Sequence, residues 1–316
     1  MRIGVLSNLR AGRGESSVER VRRVLRRHPE VLHVYSSDKD TVEEPLARLE
    51  SGGVDLLVLN GGDGTLQHAL TRILGGQSRG WCPLVAPLRG GRANNIARSL
   101  GAQRDAGRGL AALLEAVRGG ALGDRIDERP VVRADLGKDG VQYGMFFGAG
   151  ILYRAILLAL RSFPEGPAQG VFGAGITTGA LIGRALAGRY GGVLTPEKVQ
   201  IVLDDDPIQP QEYLLVMATT LDRLFLRMRP FWGREPRPLR FTTIAGRPRD
   251  PRVVAGVLRG RPPSRATPEA GYLSRNVHRG VLRIDGGMTL DGELFGPEPG
   301  RTVELSAGDR VRFVRS

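Results

Sequence analysis

One stretch constrains this chain more than any other. Val54-Asp55-Leu56-Leu57-Val58-Leu59 reads as a buried strand and feeds without a break into Asn60-Gly61-Gly62-Asp63-Gly64-Thr65, after which helical spacing begins at once. A strand that turns into a helix through three glycines is the joint of a βα unit. The glycines let the backbone approach a ligand closely, and free N–H groups at a helix start favour an anionic phosphate. A carboxylate inside such a loop repels phosphate unless a cation intervenes or the group takes a proton. Asp63 therefore points to Mg²⁺ or to acid–base chemistry. The competing reading is a tight turn in which Asp63 only caps the helix.

The surroundings follow the same alternation. Residues 2–7, 31–36, 54–60 and 82–87 read as strands, and 16–27, 41–49, 65–74, 93–100 and 107–117 as helices. This predicts an α/β domain with a parallel sheet over 1–122. After Gly119-Gly120 the texture changes to short β-rich runs separated by Gly, Pro and Asp: 131–136, 141–147, 199–203, 213–219, 239–245, 281–285, 288–290 and 302–305. They predict a β-sandwich-like second domain over 123–305, with an apolar, helical insertion near 152–189. The tail, about 306–316, is a candidate to rejoin the first domain.

Composition narrows the classes. Hydrophobic residues are 41% and charged residues 25% of the 316, the balance of a globular chain. One cysteine, Cys82, excludes an internal disulfide, and four scattered histidines offer no zinc spacing. The N-terminus enters strand-like sequence directly, so a cytoplasmic protein is expected. The apolar stretch 167–183 is too short and too rich in glycine to span a bilayer. Of the 46 basic residues, 43 are arginine, which reflects composition bias in part. Position adds to it, because 223–265 holds twelve arginines and two acids.

Gly61-Gly62-Asp63-Gly64-Thr65 after an apolar strand resembles the GGDGT signature of the diacylglycerol kinase-like lipid kinases, which include sphingosine and ceramide kinases, and more distantly that of NAD kinases. Three further matches follow in family order. Ser7-Asn8-Leu9-Arg10-Ala11-Gly12 is similar to the family's first-strand turn, with Leu9 and Ala11 in place of Pro and Ser. Pro87-Leu88-Arg89-Gly90-Gly91-Arg92-Ala93-Asn94-Asn95 resembles its second glycine-rich loop, and Leu290-Asp291-Gly292-Glu293 its Asp-Gly-Glu. Each piece also has a plain structural reading: Asn8 ends a strand, Asn94 caps a helix, and Asp291-Gly292 is a favoured hairpin turn.

The resemblance implies an active site in the interdomain cleft and transfer of phosphate from ATP, with Mg²⁺, to a hydroxyl of diacylglycerol or a related lipid alcohol. It implies Asn8, Gly61, Gly62, Gly64, Thr65, Gly91, Arg92 and Asn94 around the nucleotide. Asp63, Asp291 and Glu293 are the implied catalytic carboxylates, with Asp63 and Glu293 near the metal, directly or through water. Which of them is the base stays open. A soluble small-molecule kinase of the same fold and a degenerate nucleotide- or lipid-binding protein are the alternatives, and a homodimer is a family expectation.

Several positions depart from the pattern. His68 stands where the family has a Glu, Arg92 where it has a Thr, and Asn95 where it has an Asp. The Asp-Gly that follows a Pro in the second domain has no counterpart in 229–236, where Asp222 and Glu235 are the nearby acids, and Tyr153-Arg154 replaces an acid after Phe147-Gly148-Ala149-Gly150. Leu224-Phe225-Leu226-Arg227-Met228-Arg229-Pro230-Phe231-Trp232 sets apolar side chains beside the densest arginines. Either this is a peripheral face for anionic membrane, with Phe225, Phe231 and Trp232 inserting, or the aromatics pack inside and the arginines are solvated. Nucleic acid ranks well behind, for want of any binding-module motif.

Overall fold

The computed structural model describes residues 1–11, 14–37, 42–76, 80–91, 94–162, 191–224, 228–246 and 253–316. Contacts divide the chain into one unit of Met1–Val131 with Asp309–Ser316 and a second of Val132–Gly308. The first begins β1 (Ile3–Asn8), α1 (Gly14–Leu25), β2 (Leu32–Ser36), α2 (Glu43–Ser51), β3 (Leu56–Gly61), α3 (Asp63–Leu74), β4 (Leu84–Arg89). Helices α4 (Asn95–Ser99) and α5 (Ala106–Arg118) and strand β5 (Ile126–Pro130) follow. The second unit contains β6 (Val132–Asp135), β7 (Val141–Gly144), β8 (Phe146–Gly150), α6 (Ile151–Ser162), β9 (Glu197–Leu203), β10 (Asp206–Thr219) and β11 (Leu239–Ala245). It continues with α7 (Val254–Leu258), β12 (Tyr272–Val277), β13 (Arg279–Ile284), β14 (Met288–Leu290), β15 (Glu293–Phe295) and β16 (Arg301–Ser306). The final strand, β17 (Arg310–Val314), returns to the first unit.

The first sheet has the order β2-β1-β3-β4-β17-β5. Its pairings are parallel except β17 with β5. Every residue of β3 is buried, as a strand covered on both faces requires. Leu56 and Val58 pack with Val5 and Ala86 against Val21 and Leu25 of α1 and Leu110 and Leu113 of α5. Leu57 and Leu59 alternate to the opposite face and are buried there. The unit runs past the expected boundary at 122 to Val131, because β5 completes this sheet by pairing with β17.

The second unit is an antiparallel sheet in the order β15-β14-β8-β10-β9-β13-β16-β6-β7, with β11 and β12 branching from β10. Strands far apart in that order share one core. Val132 and Ala134 of β6 join Phe147 of β8, Met288 and Leu290 of β14, and Phe241 of β11. The sheet therefore curls around its own apolar face, which is what a sandwich-like pattern of short strands demands. The expected apolar insertion begins as α6, and residues 163–190 lie outside the described residues. Among the described residues, no helix is long and apolar enough to cross a membrane.

Candidate functional site

The carboxyl ends of β1 and β3 lie side by side, with Ser7 opposite Asn60 in the parallel register. Open α/β sheets bind ligands beyond these ends. A chain of polar side chains, buried at Ser17, Asn60 and Ser7, fixes them here. Ser17 Oγ of α1 donates to Asn60 Oδ1 at 2.7 Å, and Asn60 Nδ2 donates to Ser7 Oγ at 3.2 Å. Ser7 Oγ shares a hydrogen bond of 2.9 Å with His33 Nε2, and His33 Nδ1 shares one of 3.1 Å with the Tyr35 hydroxyl. Burial, with a smaller push from the Arg22 charge, lowers the His33 pKa from 6.5 to about 4, so the ring is neutral.

Asn8, Gly61 and Thr65 meet. Asn8 Nδ2 donates to Thr65 Oγ1 at 3.0 Å while its Oδ1 accepts from Arg10 N at 2.9 Å. Gly61 passes so close to this threonine that a Cβ on it would lie 2.5 Å from Oγ1. The two glycine-rich loops then stack backbone on backbone. A Cβ on Gly91 would lie 2.4 Å from Gly62 Cα, and one on Gly90 would lie 2.8 Å from Gly61 N. Asn94 closes the second loop, sitting in the left-handed region (φ 49, ψ 39) with Oδ1 accepting from Gly91 N at 2.8 Å. Arg92 lies outside the described residues.

Asp63 does not cap its own helix. Gly62 occupies the N-cap of α3, without a side-chain cap, and Asp63 stands in the first turn. Its carboxylate reaches across to α4, where Oδ2 accepts from Asn95 N at 3.0 Å and Oδ1 from Ile96 N at 3.2 Å. Burial pushes this carboxyl above the usual carboxylate value, against the pull of those two amides. Asp63 thus caps α4 and pins the second loop, while the first amides of α3 stay available to an anion. Gly61, Gly62, Asp63, Leu66, Leu88 and Asn94 line an opening of about 210 Å³ at this point, solvent included.

Two of the departures leave buried polar atoms here. Among the described residues, His68 Nε2 and Asn95 Oδ1 have no hydrogen-bond partner. Asn60, Ser7, Ser17 and His33 were not singled out from the sequence. The one signal for them was an asparagine placed directly before the first glycine.

In the second unit, Asp291 and Gly292 form the two-residue turn between β14 and β15, both with positive φ (52 and 97). The Asp291 carboxylate accepts from Met145 N and Phe146 N, each at 2.9 Å. Glu293 begins β15 and is half-buried. Asp222 pairs with Arg240 at 2.8 Å, and Glu235 accepts from Asn276 N at 2.8 Å, so both acids near the missing Asp-Gly are engaged locally.

No group of three or more His, Cys, Asp or Glu side chains gathers at metal-binding distance among the described residues. That donor set fits Mg²⁺ only in the manner usual for nucleotide enzymes, where phosphates and water supply most ligands and the protein adds one or two carboxylates.

Residues 2–122 match the sequence model of the diacylglycerol kinase catalytic domain family. No curated protein matches the chain by sequence. Among solved structures, the chain is similar over 100% of its length to a diacylglycerol kinase from Bacillus anthracis str. Sterne, at 16% identity over 97% of that chain with a TM-score of 0.67. It is similar over the same extent to an NAD kinase from Archaeoglobus fulgidus in complex with ATP (13% identity, 94% of that chain, TM-score 0.51). A third is the yeast NADH kinase complexed with NADH (14% identity, 84% of that chain, TM-score 0.53). At these identities the likeness carries the fold: a parallel α/β unit followed by a curled antiparallel sheet, as in diacylglycerol and NAD kinases. Within that class, the first unit is similar in sequence to the diacylglycerol kinase catalytic domain.

Proposed function

We propose that the protein transfers the γ-phosphoryl group of ATP to a hydroxyl of diacylglycerol or a related lipid alcohol. The observation that carries this reading is the N-terminus of α3, bare of a side-chain cap and faced by the Gly90-Gly91 backbone, in a domain that matches the diacylglycerol kinase family. Backbone amides of Gly62, Asp63 and Gly64 bind phosphate oxygens, and the glycines keep side chains out of the way. Asn8, Thr65, Gly91 and Asn94 hold the two loops to that shape, and Arg92 adds a positive charge.

The acceptor hydroxyl attacks the γ-phosphorus, the bond from γ-phosphorus to the bridging oxygen breaks, ADP leaves, and the hydroxyl proton passes to a carboxylate. Asp63, Asp291 and Glu293 are the carboxylates we assign to this work. Asp63 and Asp291 are each held in place by two backbone amides. Mg²⁺ entering with the nucleotide, beside Asp63 or Glu293, supplies neutralisation of phosphate charge.

The test is incubation with γ-labelled ATP and a panel of diacylglycerol, sphingoid and other lipid alcohols. Label is expected in the organic-extractable product. Label in a water-soluble product points to a small-molecule kinase, and intact ATP throughout sinks the kinase reading. Asp63→Asn, Asp291→Asn and Glu293→Gln are each expected to lower turnover, the base by about 10²–10⁴-fold with nucleotide affinity kept. Unchanged turnover in all three removes the carboxylate assignment.

A further inference from the structure

The second unit carries a patch of cations assembled from two separate stretches. Next to Arg223 and Arg229, Leu224 N donates to Met228 O at 2.8 Å, which brings the two positions together. Arg229 N donates to Leu258 O at 2.9 Å, at the end of α7, and Arg261 N donates to Gly256 O at 3.0 Å. The stretches touch at Gly260, where a Cβ would lie 2.7 Å from Arg229 O. Arg223, Arg229, Arg259 and Arg261 are all exposed, and among the described residues none of their side chains has an ion-pair or hydrogen-bond partner.

Several other arginines of the unit are paired. Arg237 pairs with Asp204, Arg275 with Asp206, Arg279 with Glu304, and Arg301 with both Asp139 and Glu298. Asp222, next to Arg223, is taken by Arg240. Four like charges left together without counter-ions carry an electrostatic cost that a polyanionic surface removes.

Two kinds of polyanion are available, and the aromatics separate them. Single-stranded nucleic acid binds such clefts by stacking bases on open aromatic faces. Trp232 instead packs on the cluster of Leu215, Met217, Val253 and Val257, and Phe231 lies under the Arg240 guanidinium, 5.2 Å from ring centre to carbon. Phe225 lies outside the described residues, and among the described residues charge without a stacking platform fits a surface of lipid headgroups.

We propose that Arg223, Arg229, Arg259 and Arg261 form an electrostatic docking face for an anionic lipid bilayer, one that works by charge, without insertion of Trp232 or Phe231. The choice of a bilayer rests on the lipid kinase reading of the protein. Co-sedimentation of the full chain tests it, with vesicles of phosphatidylcholine alone and of phosphatidylcholine mixed with phosphatidylglycerol, at low and high salt. Binding is expected to the mixed vesicles only, with release at high salt. Each arginine changed to glutamine is expected to lower the partition coefficient about fivefold, and R223Q/R229Q/R259Q/R261Q by several hundredfold, roughly.

Absence of wild-type binding to the mixed vesicles overturns the proposal, as does a quadruple variant that binds unchanged. So does tight binding of single-stranded RNA by a protein that ignores vesicles. Transfer of label to a detergent-dispersed lipid alcohol, which needs no bilayer, is measured alongside and should be equal in wild type and variant. Loss of transfer in both, with salt-sensitive vesicle binding intact in the wild type, removes the kinase reading and leaves the docking face standing.

Discussion

Gly91 is the residue at which the site has least slack. A methyl group there would sit 2.4 Å from Gly62 Cα, which is backbone and has no rotamer by which to retreat. Gly91→Ala is therefore expected to push the two loops apart, at about 1–3 kcal/mol of stability, with a loss of nucleotide affinity larger than that stability change explains. Chemical denaturation and isothermal titration with ATP measure the two. Close backbone approach was legible in the residues themselves, because three glycines after a buried strand have few other uses. What they approach was not legible: it is another glycine, thirty positions or so along the chain, on the neighbouring strand end. Asp63 shows the same limit. Its type and place announced a metal ligand, a base or a cap of its own helix, and its two oxygens went to the amides of a different helix.

At the scale of elements, the ends of β1, β2, β3 and α1 are joined by one polar chain through Ser17, Asn60, Ser7 and His33. His33 resists protonation in the folded protein until about pH 4, whereas the unfolded chain takes the proton near 6.5. The unfolded state thus binds more protons between those values. Its contribution to stability is complete above about pH 6.5 and lost progressively as pH falls toward about 4. Urea unfolding from about pH 7 down to about pH 5 should show that decline, and His33→Gln should flatten it. Helix α6 has its own tether. Arg154 Nε donates to Val193 O at 2.9 Å, its guanidinium also reaches Glu197 and Thr195 O, and the Tyr153 ring covers Gly287. The departure at Tyr153-Arg154 accordingly binds the helix to the strand that follows it in sequence. Strands with clean apolar alternation or solid apolar runs, such as β3 and β11, announced themselves. Strands β5 and β12, which read Ile-Asp-Glu-Arg-Pro and Tyr-Leu-Ser-Arg-Asn-Val, did not, because their polar residues are accommodated by position in a sheet rather than by pattern.

For the molecule as a whole, the first unit depends on its last eight residues, 309–316. Strand β17 lies between β4 and β5, and its Val311, Phe313 and Val314 are buried. At about 1.5–3 kcal/mol for each buried side chain, the strand accounts for stability comparable to the whole margin of an ordinary domain. A chain ending at Gly308 is expected to leave the first unit unfolded, read as loss of hydrogen-exchange protection in β1, β3 and β4 while strands of the second unit keep theirs. The amino-acid sequence alone determined that there is an α/β unit followed by a β-rich one, where the glycine-rich loop lies, and that basic charge concentrates in 223–265. Those are statements of period, turn chemistry and composition, all local to the chain. Tertiary structure alone decided that the terminal strand completes the first sheet, that Asp63 caps α4, that Gly62 meets Gly91, and that four arginines from two stretches stand together while Trp232 turns inward. Each of those is a contact between residues distant in sequence, settled by which partners compete for the same space and the same hydrogen bonds once the chain is compact.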